Sequence, residues 1–226
     1  ITATYKRLPV VLTRGERCTL WDESGRAYLD FVAGIAVCNL GHAHPAVTRT
    51  VAEQAARLVH VSNLFYTEPQ ADVAALLVAN SFADRVFFCN SGAEANEAAI
   101  KLARKYFYEK GDSDRFRIVA MEKSFHGRTM ATLSATGQDK IKKGFDPVLQ
   151  GFDYVPFNDA QVLRSKIGAE TCAGCGQDPS SPSGKGLADP VQIAEILLQY
   201  ADPPGYRERP VRGDPIGFYN AWFDGG

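Results

Sequence analysis

The sequence predicts an α/β fold built on a doubly wound, mostly parallel sheet. Short continuous apolar runs recur at Val86-Phe87-Phe88-Cys89 and within Phe116 to Met121, the kind of run that fills strands buried on both faces. Between them lies a long helical pattern opened by Asn90-Ser91-Gly92-Ala93-Glu94. The order strand, helix, strand, loop is that of helices alternating with parallel strands.

Ahead of this block the chain reads as a small β-meander. Its runs are Val10 to Leu12, Cys18 to Trp21 and Ala27 to Phe31, with Asp22-Glu23-Ser24-Gly25 as a tight turn. A helix is expected to start near Pro45, because Val47, Val51, Ala55, Leu58 and Val59 fall on one helical face and proline suits the first turn. A second helix is signalled by Thr67 as N-cap and Pro69 in the first turn, followed by Val73, Leu76, Leu77 and Asn80. In the helix after Val86–Cys89, Ala95, Ala98, Ala99, Leu102 and Tyr106 are expected to line the packed face, with Gly111 at its end. Phe116–Met121 and Asp153–Val155 follow as strands, and Asp159–Lys166 as a short helix. Beyond Ala173, Gly174 to Gly186 has loop chemistry, and Asp189-Pro190 opens a further helical pattern broken at Pro203-Pro204-Gly205.

The 226 residues, 45% hydrophobic and 23% charged, are enough for one large domain or a domain and a half with a real core. A formal charge of −1 leaves no electrostatic footprint for nucleic acid or for an anionic membrane. The longest apolar stretch, near Phe31 to Cys38, falls far short of the ~20 residues of a membrane helix, and the N-terminus does not read as a signal peptide. Five irregularly spaced cysteines argue for a reducing compartment, so a cytoplasmic location is expected. Cys172-Ala173-Gly174-Cys175 is a C-x-x-C, but no second pair or thioredoxin-like context stands nearby, and metal or redox use is not expected. His42 and His44 read as part of a turn before a helix rather than as metal ligands.

The run from Asn90 to Lys101 is the most informative stretch. Ser91 and Glu94 stand three apart as a capping box, while Gly92 and Ala93 carry too little side chain to keep an anion from the backbone N–H groups of the first turn. An anion there gains roughly 0.3–1 kcal/mol from the helix dipole at an exposed site and up to ~2 kcal/mol in a partly buried one. The same residues also make an ordinary capped helix without a ligand, and the run alone leaves both readings open.

Five stretches together carry a family likeness. They are Leu29-Asp30-Phe31-Val32-Ala33-Gly34-Ile35-Ala36-Val37, Leu40-Gly41-His42-Ala43-His44-Pro45, Ser62-Asn63-Leu64-Phe65-Tyr66-Thr67-Glu68-Pro69-Gln70, Asn90 to Glu97, and Phe125-His126-Gly127-Arg128-Thr129. In this order and spacing, roughly residues 4 to 172 resemble the class III aminotransferases. The resemblance implies the large domain of a fold type I transferase dependent on pyridoxal 5'-phosphate. It also implies a homodimer and transfer of an amino group between N-acetylornithine, or a related ω-amino donor, and 2-oxoglutarate. It divides the chain into an N-terminal segment (1–60), an incomplete cofactor-binding large domain (61–173) and an unmatched tail (174–226).

By position, Ser91, Gly92 and Ala93 would hold the cofactor phosphate, Phe125 would lie against its pyridine ring, and Arg128 would bind a substrate carboxylate through its guanidinium fork. The family also uses a lysine that bonds to the cofactor and an acid that pairs with the ring nitrogen. The V-E-P-x-Q-G-E-G-G and D-E-V-Q stretches that accompany them do not occur here, and the only lysines past position 150 are Lys166 and Lys185. No catalytic residue is therefore assigned. The tail is read as altered or truncated, and the alternative to an active transferase is an inactive remnant or a module that binds only the cofactor phosphate.

Overall fold

The computed structural model describes residues 1–174. The expected loop from Gly174 to Gly186, the helix opened by Asp189 and the residue Cys175 lie outside what can be described, apart from the strand position of Gly174. The chain divides after Phe65 into two compact units.

In the first unit β1 (Leu12–Glu16), β2 (Thr19–Asp22) and β3 (Ala27–Leu29) form an antiparallel meander in that order. The first strand lies later than the apolar run Val10–Leu12 predicts. Glu16 pairs with Thr19 across a two-residue turn, so turn geometry rather than hydrophobicity sets where β1 must end. The corner between β2 and β3 is tied by Asp22, whose carboxylate accepts from the Ser24 hydroxyl (2.6 Å), the Tyr28 hydroxyl (2.8 Å) and the Ser24 and Arg26 N–H groups (2.9 and 3.0 Å). These bonds, the Ser24 hydroxyl first and Tyr28 next, hold the Asp22 carboxyl down to about 2.

After β3 the chain makes a single turn, α1 (Ala33–Ala36), in which all four residues have positive φ, including Ile35 at 61°. This left-handed turn costs roughly 1–2 kcal/mol per non-glycine residue. A lock across this turn joins Asp30, just after β3, to His42, before the next helix. His42 Nε2 lies 2.6 Å from Asp30 Oδ2, and Asp30 Oδ1 accepts from the Val32 and Ala33 N–H groups. Arg17 and His42 exchange backbone hydrogen bonds of 2.9 and 2.8 Å beside Gly41, where a Cβ would come within 2.9 Å of Arg17 Cα. Helix α2 (Pro45–Arg57) starts at its proline as expected. Its Val47 and Val51 are exposed, so the apolar face read from the sequence is present but uncovered.

The second unit opens with α3 (Glu68–Ala79), with Pro69 in its first turn; Thr67 occupies the N-cap position but its side chain makes no cap bond. The expected strand Val86–Cys89 does not form. A strand exists through its ladder partner, and this segment pairs with none among the described residues, leaving Phe87 and Phe88 exposed.

Beyond it α4 (Gly92–Glu109), β4 (Arg117–Met121), the short helices α5 (Met130–Ala135) and α6 (Asp139–Lys142), β5 (Phe152–Val155), α7 (Ala160–Lys166) and β6 (Thr171–Gly174) complete the unit. The strands are parallel in the order β5-β4-β6, with Ile118 opposite Phe152 and Met121 opposite Val155. This is the doubly wound arrangement expected, here as a partial large domain. The sequence pattern did not announce α5 and α6, which are too short for a helical period to register.

Side chains of β4 alternate between two cores. Ile118 packs with Ile100 and Ala103 of α4, Ala135 of α5 and Cys172 of β6. Val119 and Met121 pack on the other face with Val155 and with Leu163 of α7. Val119 and Val155 are fully buried, each worth roughly 1.5–3 kcal/mol by removal from water. The packed face of α4 differs from the expected one. Ala95 and Ala99 are exposed; Leu102 is buried as expected, joined by Ile100 and Ala103, which pack on Ile118, Ala135 and Cys172. Arg117 and Asp153 form a two-pronged ion pair across β4 and β5, at 2.8 and 2.5 Å.

Candidate functional site

Parallel strands place helix N-termini and loops at their carboxyl ends, which is where ligands collect in such sheets. Helix α4 begins there. Ser91 is its N-cap in extended conformation, and its hydroxyl accepts from Glu94 N–H at 3.2 Å. The second half of the expected capping box is displaced by one residue: Glu94 Oε2 accepts from the Asn90 N–H at 2.5 Å rather than from Ser91. The first intrahelical donor is Ala95, to the Ser91 carbonyl at 3.0 Å. The N–H groups of Gly92 and Ala93 precede it and lie at the open helix end. A Cβ placed on Gly92 would meet nothing within 4 Å, so the space beside this residue is open.

The loop Lys123 to Thr129, at the end of β4, is brought against this turn. Gly127 is buried at φ 133°, a conformation open to glycine, and a Cβ on it would sit 2.8 Å from Ala93 Cβ and 2.6 Å from Thr132 Oγ1. Asn96 Nδ2 donates to the His126 carbonyl at 2.8 Å. Glu97 Oε1 accepts from the Thr129 hydroxyl at 2.5 Å and from the Ala131 N–H at 3.2 Å. On the inner side His126 N–H donates to Thr136 Oγ1 at 3.0 Å, and burial pushes the His126 imidazole pKa down.

Ser91, Gly92, Ala93, Phe125 and Arg128 thus all sit on α4 and the loop fastened to its first turns. Phe125 is 58% exposed, a flat apolar face open to a ligand. The Arg128 guanidinium carbon lies 5.9 Å from its ring centroid, with the side chain exposed. Asn96, Glu97 and Thr129 were not singled out from the sequence. The signal was there as two adjacent polar residues inside an alanine-rich helix, but their partners are about 30 residues away.

Other residues weighed from the sequence are elsewhere. Cys172 is buried in the core beside α4, and burial pushes its thiol up to about 11. His42 is paired with Asp30, and among the described residues no group of three His, Cys, Asp or Glu side chains converges on a metal position. Lys166 lies exposed in the last turn of α7. Among the described residues no helix is long and apolar enough to cross a membrane.

With this geometry in place, the chain can be compared with known proteins. Residues 1–177 match the family model "Aminotransferase class-III". The acetylornithine aminotransferase of Thermosynechococcus vestitus is 57% identical over 167 residues, 74% of this chain and 40% of that protein. That of Halalkalibacterium halodurans is 51% identical over 193 residues, 85% of this chain and 49% of that protein. Among solved structures, the ornithine aminotransferase of Toxoplasma gondii crystallized with oxidized glutathione has PLP at partial occupancy in its active site. It superposes with a TM-score of 0.73 at 26% identity, over 88% of this chain and 48% of that one. The chain spans less than half the length of these relatives.

Proposed function

This chain belongs to the class III aminotransferases, and we propose that it carries the phosphate-and-ring part of a pyridoxal 5'-phosphate site serving acetylornithine-type transamination. The observation that carries the reading is the α4 cup and the Phe125–Arg128 loop fastened together on one structural unit. The donors present suit the cofactor. Two backbone N–H groups at a helix start and the Ser91 hydroxyl match a phosphate, with open space over Gly92 to admit it.

Pyridoxal phosphate, when bound, supplies the electron sink for moving an amino group between N-acetylornithine, or a related ω-amino donor, and 2-oxoglutarate. The chain's own residues bind and orient. Gly92 and Ala93 donate to the phosphate, and Ser91 fixes the turn that presents them. Phe125 covers one face of the ring and keeps water from it. Arg128 clamps a substrate carboxylate in the plane of its guanidinium, a task a lysine ammonium does not match. Residues 61–173 act as the cofactor-binding portion and 1–60 as the segment preceding it. The whole enzyme works as a cytoplasmic homodimer.

The test is a titration of the full chain with pyridoxal phosphate, followed by N-acetylornithine and 2-oxoglutarate with glutamate as the measured product. A saturable spectral change, weakened at least tenfold by adding competing inorganic phosphate in excess, supports the cup; its absence overturns the reading. A yellow colour discharged by borohydride together with glutamate formation supports transamination by this chain. A second reading is a module that holds the cofactor phosphate without turnover, which the exposed position of Lys166 in the last turn of α7 favours. It predicts reversible binding, no borohydride-stable adduct and no glutamate.

A further inference from the structure

We propose that Glu97, with Asn96 beside it, is a positioning residue that sets the loop bearing Phe125 and Arg128 against the phosphate cup. The proposal deepens the site reading above and rests on it. One oxygen of Glu97 accepts from both the Thr129 hydroxyl (2.5 Å) and the Ala131 N–H (3.2 Å), while Asn96 holds the His126 carbonyl (2.8 Å). These contacts bracket Arg128 on both sides. Between them Gly127 presses on Ala93, the second residue of the helix. The Arg128 side chain itself remains exposed, with the Phe125 ring 5.9 Å away.

The consequence is a loop held at four points, three on its backbone and one at the Thr129 hydroxyl, around a side chain left exposed. Such an arrangement pre-organises a carboxylate clamp, since the loop need not be ordered when the ligand arrives. It also ties the clamp to the cup.

The experiment uses the full chain and two probes, pyridoxal phosphate and glutarate, the latter a dicarboxylate with no amino or keto group. Affinity is measured for the wild type, Glu97→Ala, Glu97→Gln and Thr129→Val. Glu97→Ala and Thr129→Val are expected to weaken glutarate binding at saturating pyridoxal phosphate by at least fivefold, with pyridoxal phosphate affinity within about twofold. Glu97→Gln keeps an acceptor oxygen and is expected to retain wild-type glutarate affinity. Unchanged glutarate binding in Glu97→Ala, or in Thr129→Val should the first variant fail to fold, overturns the proposal. If the wild type binds neither probe, the site reading fails, and amide exchange in the ligand-free chain decides the positioning role. Exchange over residues 126–129 that is at least tenfold faster in the variants supports it, and unchanged exchange overturns it.

Discussion

Gly127 lies so close to Ala93 that a Cβ on the glycine would stand 2.8 Å from the alanine's own. The contact joins the turn after β4 to the first turn of α4, two places nearly 35 positions apart in sequence. Because Gly127 also has φ 133°, replacement by alanine meets two penalties at once. Backbone strain of roughly 1–3 kcal/mol adds to an overpacking cost of roughly 1–3 kcal/mol. Gly127→Ala is expected to lower stability by at least about 2 kcal/mol in urea unfolding and to weaken pyridoxal phosphate uptake with it.

Ser91 contributes one cap bond, to Glu94 N–H. Ser91→Ala is expected to cost about 1 kcal/mol of stability, and Ser91→Gly only a few tenths, since glycine tolerates the extended N-cap conformation. Urea unfolding of the two variants side by side checks the ranking. A larger loss of phosphate affinity than of stability in Ser91→Ala would show the hydroxyl touching the ligand.

The Asp30–His42 lock gives the first unit an acid-sensitive element. The His42 hydrogen bond, followed by the Ala33 and Val32 N–H groups, lowers the Asp30 pKa below its ordinary value. A depressed carboxyl stabilises the fold above its unfolded-state pKa near ~3.9, and that contribution is lost as pH falls through the folded-state value. The stability difference between wild type and Asp30→Asn is therefore expected to shrink below about pH 4. Unfolding midpoints measured from pH 7 to pH 3 check this.

Cys172 provides a contrast among the thiols. Burial pushes it up to about 11, whereas Cys18 and Cys89 are exposed. Since the thiolate is the nucleophile, iodoacetamide at pH 8 is expected to modify Cys18 and Cys89 well before Cys172, read by peptide mass spectrometry. Cys172 should become reactive on unfolding. Its early modification in the native chain would contradict the packing of β6 against α4.

Where the sequence and the structure part company, each case has a physical cause. The helix starts at Pro45, Pro69 and Ser91 and the stop at Gly111 were legible because their chemistry is local: a fixed proline φ, a side-chain acceptor, a glycine at positive φ. Strand β4 was legible because every one of its apolar residues is buried. Val86–Cys89 carries the same signal and forms no ladder among the described residues, since apolar content sets a preference and only a partner supplies hydrogen bonds. The extent of β1 escaped because a two-residue turn at Arg17 and Cys18 fixes its register.

The sequence by itself determined the doubly wound class, the capped start of α4 and, through its motifs, the family. These depend on residue types a few positions apart, whose preferences act before the chain has folded. Only the tertiary structure decided which face of α4 is buried, and that Asn96 and Glu97 hold the loop of Phe125 and Arg128 in place. Those contacts span about 30 residues and form only when the parallel sheet brings the end of β4 beside the first turns of α4. Packing, not propensity, selects them.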